Sequence, residues 1–259
     1  MSRSVQSPLV IVGLGQLGSL FRDAFEAAGH EVASVTRTSD RAELGRLHSA
    51  PGLVLVTVGE DDLDACLTGL PPAWKSRVAL VQNELRPGQW LQAGVNEPTV
   101  LVVWFERKQG LAPKAVRESV VFGPHADFLA SSLVPLGLVT RLVDEDALAF
   151  ELCLKNLYIL SLNLCGLAWG GTAGALLSEH GEQFARVTHE LLSIERALFG
   201  VALDERALST ELERAILADR RHATAGRSAP RRFERTLAHA RKLGIEVPHL
   251  RALSATVSS

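Results

Sequence analysis

The sequence predicts an α/β domain built on a parallel sheet over residues 1–143, followed by an all-α domain over residues 144–259. Three observations predict it. Short apolar runs alternate with helical patterns through the first half, which is the signature of βαβ units. A glycine-rich turn leaves the first of these runs and opens the first helix. After Val143 the strand signal stops and apolar residues recur at helical spacing.

The elements follow in order. "PLVIVGLG" (8–15) reads as a buried strand running into a glycine loop. Residues 16–28 set Leu17, Leu20, Phe21, Ala24, Phe25 and Ala28 at helical spacing, with Gly29 in place to cap the helix. "HEVASVTR" (30–37) is the next strand, and a short polar helix separates it from "GLVLVTV" (52–58). "VALVQN" (78–83) and "TVLVVWF" (99–105) are two further strands. Residues 116–142 read as shorter strands and a helix that finish the domain. From Asp144 to Leu217 the pattern is helical almost throughout. "HATAGRSAPRR" (222–232) is a basic loop rich in helix breakers. A last helix over Phe233–Leu243 ends at Gly244, with Pro248 just beyond.

The bulk numbers narrow the function. The chain has 259 residues, 47% hydrophobic and 22% charged, an ordinary globular balance with room for a sizeable core. A net charge of −2 leaves no electrostatic footprint for a nucleic acid. The eight histidines are scattered without zinc-type spacing, so no metal is expected. Cys66, Cys153 and Cys165 are odd in number and far apart, which reads as buried reduced thiols in a cytoplasmic protein. The N-terminal stretch has neither a signal-peptide core nor a cleavage site. The richest apolar segment, Leu152–Trp169, contains Lys155, Asn156 and Asn163, so a membrane-spanning helix is not expected.

Gly13-Leu14-Gly15-Gln16-Leu17-Gly18 fits G-x-G-x-x-G in the context that gives the motif meaning, between a buried strand and an amphipathic helix. Gly13 allows the tight turn, Gly15 lets backbone approach a pyrophosphate, and Gly18 lets helix and strand pack closely. The helix N-terminus then faces the phosphates. The expectation is a Rossmann-type dinucleotide site; the alternative is a strand–helix turn with incidental glycines. The second strand chooses the cofactor. It ends Val35-Thr36-Arg37-Thr38-Ser39, with Arg41 near by and no acid before Asp40. An arginine there suits a 2′-phosphate, which predicts NADP rather than NAD. The competing reading is Arg37 as a solvated surface charge.

Lys155 is the only Lys or Arg between Arg141 and Arg186, set among Leu152, Leu154, Leu157, Ile159 and Leu160. A helix apolar nearly all round is a buried helix. Asn163 follows about two turns later on roughly the same side, and Asn156 sits at the flank. An ammonium and an amide facing one cleft can grip a carbonyl or carboxylate, and a desolvated lysine gives up its proton more readily. A snorkelling lysine beside a core amide fits the same spacing.

The glycine loop, the arginine closing the second strand, the "VQN" strand end and a helical domain opening with lysine resemble the ketopantoate reductase family. The likeness covers most of the chain, including "HELLSIERALFGVAL" (189–203) and "ARKLGIEVP" (240–248). It implies a Rossmann domain plus a helical domain, with the active site in the cleft between them, and NADPH-dependent reduction of a 2-oxo acid, typically 2-dehydropantoate. It assigns Gly13, Gly15 and Gly18 to the pyrophosphate and Arg37 to the 2′-phosphate. Asn83 would contact the cofactor near its nicotinamide end, Lys155 would be the general acid on the keto oxygen, and Asn163 would bind substrate. The partner expected is a small 2-oxo acid, with no nucleic acid and no membrane. The apolar face of the 145–169 helix would bury either internally or at a homodimer contact.

The chain departs from the family pattern at four places. Ile159 stands one turn after the lysine where the family has Asn. The family's Q-N-G reads Gln82-Asn83-Glu84, which bears on the turn beneath the nicotinamide. The third strand ends Val58-Gly59-Glu60 instead of in a lysine. The family's C-terminal glutamate maps near Ser228, where Asp219, His222, Thr224 or Ser228 can stand in; Arg227 can instead hold a carboxylate, and a solvated surface turn fits as well. Two classes follow: a reductase of this type, and a catalytically weakened paralogue that binds NADP(H), or only keeps the fold, and acts as a sensor or through a partner.

Overall fold

The computed structural model describes residues 7–106 and 112–257, apart from the side chain of Arg41. Residues 1–6 of the N-terminal stretch, and Arg41 as a second cation beside Arg37, fall outside what it describes. The chain divides into two compact units, one up to Leu148 and the other from Ala149.

In the first unit β1 (Leu9–Val12) leads into α1 (Gln16–Ala27), then β2 (Val32–Val35), α2 (Arg41–Leu47) and β3 (Leu53–Val56). A 3-10 turn at Glu60–Asp62 and α3 (Leu63–Thr68) precede β4 (Val78–Leu80). Next come α4 (Pro87–Gln92), β5 (Thr99–Val102), the paired β6 (Phe105–Glu106) and β7 (Lys114–Ala115), β8 (Ser119–Phe122), α5 (Ala126–Leu133) and β9 (Thr140–Leu142). Seven strands form one sheet in the order β2-β1-β3-β4-β5-β8-β9.

β1 to β5 run parallel to one another; the β5–β8 pair is antiparallel, and β9 pairs parallel with β8, so these last two strands run opposite to the other five. The sheet is thus mostly parallel, as the sequence predicts, with this one antiparallel junction. No helix crosses from β5 to β8 among the described residues, and a parallel return requires such a crossover. α3 and α4, at six residues each, are too short to print a helical period in the sequence.

Leu9 and Ile11, Leu53 and Leu55, Ala79, Leu101 and Val121 line one face of the sheet, covered by Phe21 and Phe25 of α1 and Leu129 and Leu133 of α5. The Phe25 and Phe128 rings lie 5.7 Å apart, tying the two covering helices together. Burying each such side chain contributes on the order of 2 kcal/mol.

The second unit carries most of α6 (Glu145–Trp169), then α7 (Ala173–Phe199), α8 (Glu205–Ala218), α9 (Ala229–Leu243) and α10 (Pro248–Val257). By length and composition α6 could cross a membrane, but 78% of its most apolar window is buried within the protein. Leu152, Leu154, Leu157, Leu160, Leu162 and Leu164 are each at most 2% exposed, so its apolar surface buries internally. α9 starts at Ala229, four residues before the predicted Phe233, because Pro230 sits in its first turn, where a missing N–H costs nothing. α10 has no counterpart in the sequence reading. Glu190 of α7 holds its start: the buried carboxylate accepts from the His249 and Leu250 amides, both at 2.8 Å.

Candidate active site

The glycine loop lies where the chain's strand order reverses. From β1 the chain steps to β2 on one side and then to β3 on the other. Open α/β sheets bind ligands outside the carboxyl ends of the strands at such a point. Gly13 has φ +98° and its N–H donates to the Val35 carbonyl at 2.9 Å, joining β1 to β2. Its own carbonyl accepts from Thr57 Oγ1 at 2.5 Å, which joins the loop to the end of β3. Gly18 closes the turn: a Cβ there would lie 2.0 Å from the Gly13 oxygen and 2.6 Å from Thr57 Oγ1.

Gly15 is different. A Cβ on Gly15 would meet nothing within 4 Å, so its bare backbone faces open space rather than packed protein. It is the N-cap of α1, no side chain caps that helix start, and its first turn holds no acidic residue. A helix start left open beside an uncrowded backbone is a cradle for phosphate oxygens. Leu14 is half-buried, Gln16 exposed and Leu17 half-buried around it. The residues present fit a dinucleotide pyrophosphate.

Arg37 stands two residues past β2, with its side chain 90% exposed, and its Nη2 donates to Asp62 Oδ2 at 2.8 Å. The bond to Asp62 raises the guanidinium pKa still further. Asp62 ends the 3-10 turn that follows β3. Thr36 N–H donates to Ser39 Oγ at 2.9 Å and shapes the turn that carries Arg37.

Asn83 is half-buried at the end of β4. Its neighbour Gln82 donates to the Val56 carbonyl at 2.7 Å, locking the ends of β3 and β4 together. Glu84 takes φ +57°, the left-handed conformation that the missing glycine would have adopted freely. A side chain in that region costs about 1–2 kcal/mol.

In the second unit, Glu151, Lys155, Ile159 and Asn163 follow one another at four-residue steps and form one stripe along α6. Lys155 and Ile159 are its half-buried members, whereas Glu151 is 4% and Asn163 5% exposed. Lys155 Nζ lies 5.6 Å from the Tyr158 ring centroid, and that ring lies 5.9 Å from the His222 ring. Asn156 points away from this stripe into the core, where its Nδ2 donates to Glu195 Oε2 at 2.9 Å.

Asn163 is held at both ends of its amide. Nδ2 donates to the Thr224 carbonyl at 3.0 Å, and Oδ1 accepts from Arg232 Nη1 at 2.7 Å. Eight residues of helix set its backbone about 12 Å from that of Lys155. The "HATAGRSAPRR" segment is not a wholly solvated turn. Thr224 is 1% exposed, its hydroxyl is within 3.1 Å of the Gly170 and Gly171 carbonyls, and its atoms would overlap a Cβ on Gly166. Arg227 is exposed; Ser228 is half-buried at the N-cap of α9 and makes no capping bond.

Sequence reasoning overlooked Arg232, Tyr158 and Glu195. Arg232 is 8% exposed, and its only sequence signal was membership of a basic run. Cys66, Cys153 and Cys165 are all buried and none is in a disulfide, and burial pushes the Cys165 thiol up to about 12.

No protein-family model matches the sequence, and no curated protein sequence matches it. Solved structures match its fold along nearly the whole chain. A PanE/ApbA family ketopantoate reductase from Ralstonia eutropha JMP134 superposes with a TM-score of 0.70 at 18% identity, covering 96% of this chain and 97% of that one. A D-mandelate dehydrogenase solved with NADH and anilino(oxo)acetate gives 0.66 at 14% identity, covering 97% of each. A dimeric ketopantoate reductase from Staphylococcus aureus gives 0.66 at 12% identity, again covering 97% of each. The fold is that of the ketopantoate reductases.

Proposed function

We propose that this protein is an NADPH-dependent reductase of a small 2-oxo acid, with the glycine loop gripping the cofactor and Lys155 supplying the proton. The observation that carries the reading is the loop itself: Gly18 packed against Gly13, and Gly15 left open at an uncapped helix start. Arg37 would face the 2′-phosphate and Asn83 the nicotinamide end. A bound nicotinamide supplies a hydride to the carbonyl carbon. Lys155 donates its proton to the keto oxygen, so the carbonyl becomes a hydroxyl and the lysine is left neutral. The Tyr158 ring, 5.6 Å from the Lys155 ammonium, lies within cation–π range of it. Asn163 and Ser228 remain the proposed substrate contacts, with Asn163 two turns of α6 beyond Lys155.

Three further parts belong to this reading. Three buried cysteines outside any disulfide support a cytoplasmic setting. The dimeric Staphylococcus aureus structure supports a homodimer, for which the helical unit is the proposed contact, on a surface other than the apolar face of α6. The solved relatives named for ketopantoate and mandelate chemistry support a 2-oxo acid as substrate class.

A second reading, the weakened paralogue, rests on Ile159 beside Lys155 and on Asn163 closed by Thr224 and Arg232. One experiment separates the two. Calorimetric titration with NADPH, and with NADH as control, comes first, followed by a panel of 2-oxo acids with Lys155→Ala as the blank. Turnover that Lys155→Ala loses by a factor of about 100 or more, at unchanged NADPH affinity, is the expected result. Tight NADPH binding with no turnover on any 2-oxo acid selects the paralogue, and turnover that survives Lys155→Ala removes the lysine from the acid role.

A further inference from the structure

The acid that holds Arg37 has no part in the reading above. β2 and β3 flank β1 in the sheet, so the segments past their carboxyl ends lie on either side of the glycine loop. Arg37 comes from one segment and Asp62 from the other, and their 2.8 Å ion pair joins them. Both partners are open to solvent, with side chains 90% and 51% exposed, so a ligand can reach the pair without unpacking the core. Asp62 is also the third of three consecutive acids, Glu60-Asp61-Asp62.

A ribose 2′-phosphate arriving here carries close to two negative charges. To engage both arms of the Arg37 fork it must compete with the Asp62 carboxylate for Nη2, and it then remains beside that carboxylate. A ribose 2′-hydroxyl meets neither obstacle, because it can donate a hydrogen bond to that same carboxylate while Arg37 stays paired. We infer that Asp62 is a specificity-determining residue: by occupying Arg37 it weakens the discrimination between NADPH and NADH that the arginine would otherwise impose. The inference rests on the proposed cofactor site. It adds that the site admits both nicotinamide cofactors, and that one carboxylate sets the ratio.

The test is calorimetric affinity for NADPH and NADH, measured on the full chain and on Asp62→Asn. The substitution is close to isosteric at an exposed position, and the melting temperature checks that it leaves the fold intact. The NADPH/NADH affinity ratio is expected to rise about fivefold in Asp62→Asn, mostly through tighter NADPH binding. In an Arg37→Ala background the same substitution should move the ratio less, because the carboxylate then has no fork to occupy. Both cofactors binding with an unchanged ratio overturns the role of Asp62 and leaves the cofactor site standing. Neither cofactor binding to the native chain overturns the site and this inference together.

Discussion

Gly15 and Gly18 lie three residues apart in one motif, yet the structure gives them separable jobs. A methyl on Gly18 would sit 2.0 Å from the Gly13 carbonyl, so Gly18→Ala must push the loop away from β3. It should cost about 2 kcal/mol of stability or more, visible as a fall in melting temperature. A methyl on Gly15 meets no protein atom within 4 Å. Gly15→Ala should keep the native melting temperature and lose NADPH affinity, because the methyl fills the space a phosphate would take. If both variants melt normally and bind normally, the loop is an ordinary turn. At this scale the motif was plain in the sequence, since the spacing of its glycines carries the geometry. Asn163 was harder to read. Its position on α6 follows from the helical period, but its closure by Thr224 and Arg232 comes from residues 61 and 69 positions away. Helical periodicity cannot see that far. Glu84 shows the converse: where the resemblance led one to expect a glycine, a glutamate takes the left-handed backbone that glycine favours.

Among the elements, legibility tracked length and local signal. α1, α6 and the central strands are long or apolar enough to print their period, and they stand where the sequence put them. α10 was missed because Pro248 reads as a stop after Gly244, whereas it opens a new helix. What fixes that helix is a carboxylate on α7. Glu190 is 6% exposed and accepts from two α10 amides, satisfying donors that a helix start otherwise leaves bare. Glu190→Ala should destabilise the protein by about 2 kcal/mol, through two amides left without an acceptor, and Glu190→Gln should recover part of that loss. Amide hydrogen exchange localises the effect: protection should fall at residues 248–257 well before it falls in α7. A uniform loss along both helices would mean that Glu190 supports the packing of the unit rather than the start of α10.

For the molecule as a whole, the division after Leu148 distributes the proposed work: the loop, Arg37 and Asn83 on one side, Lys155 and Asn163 on the other. Chain order made two halves readable, because strands stop where long helices begin. The antiparallel β8 was not readable, since hairpin returns and crossovers differ in connection geometry rather than in strand composition. The cysteines offer a native probe of both units, with Cys66 at 2% exposure in the first and Cys165 at 0% in the second. Neither thiol should react with an aromatic disulfide reagent at the rate of an exposed one, because reagent access requires opening. For Cys165, burial also holds the thiol protonated, with its pKa at about 12. All three should label at once in denaturant. NADPH at about 100 times its dissociation constant should slow Cys66 labelling by about 100-fold, if the unit opens as a whole to expose the thiol. The grip on the cofactor is assigned to the first unit, so Cys165 labelling should change little in the same sample. Peptide-resolved mass spectrometry reads both sites at once. Equal slowing at both would show that bound cofactor holds the helical unit closed as tightly as its own, and the glycine loop would then be only part of the grip.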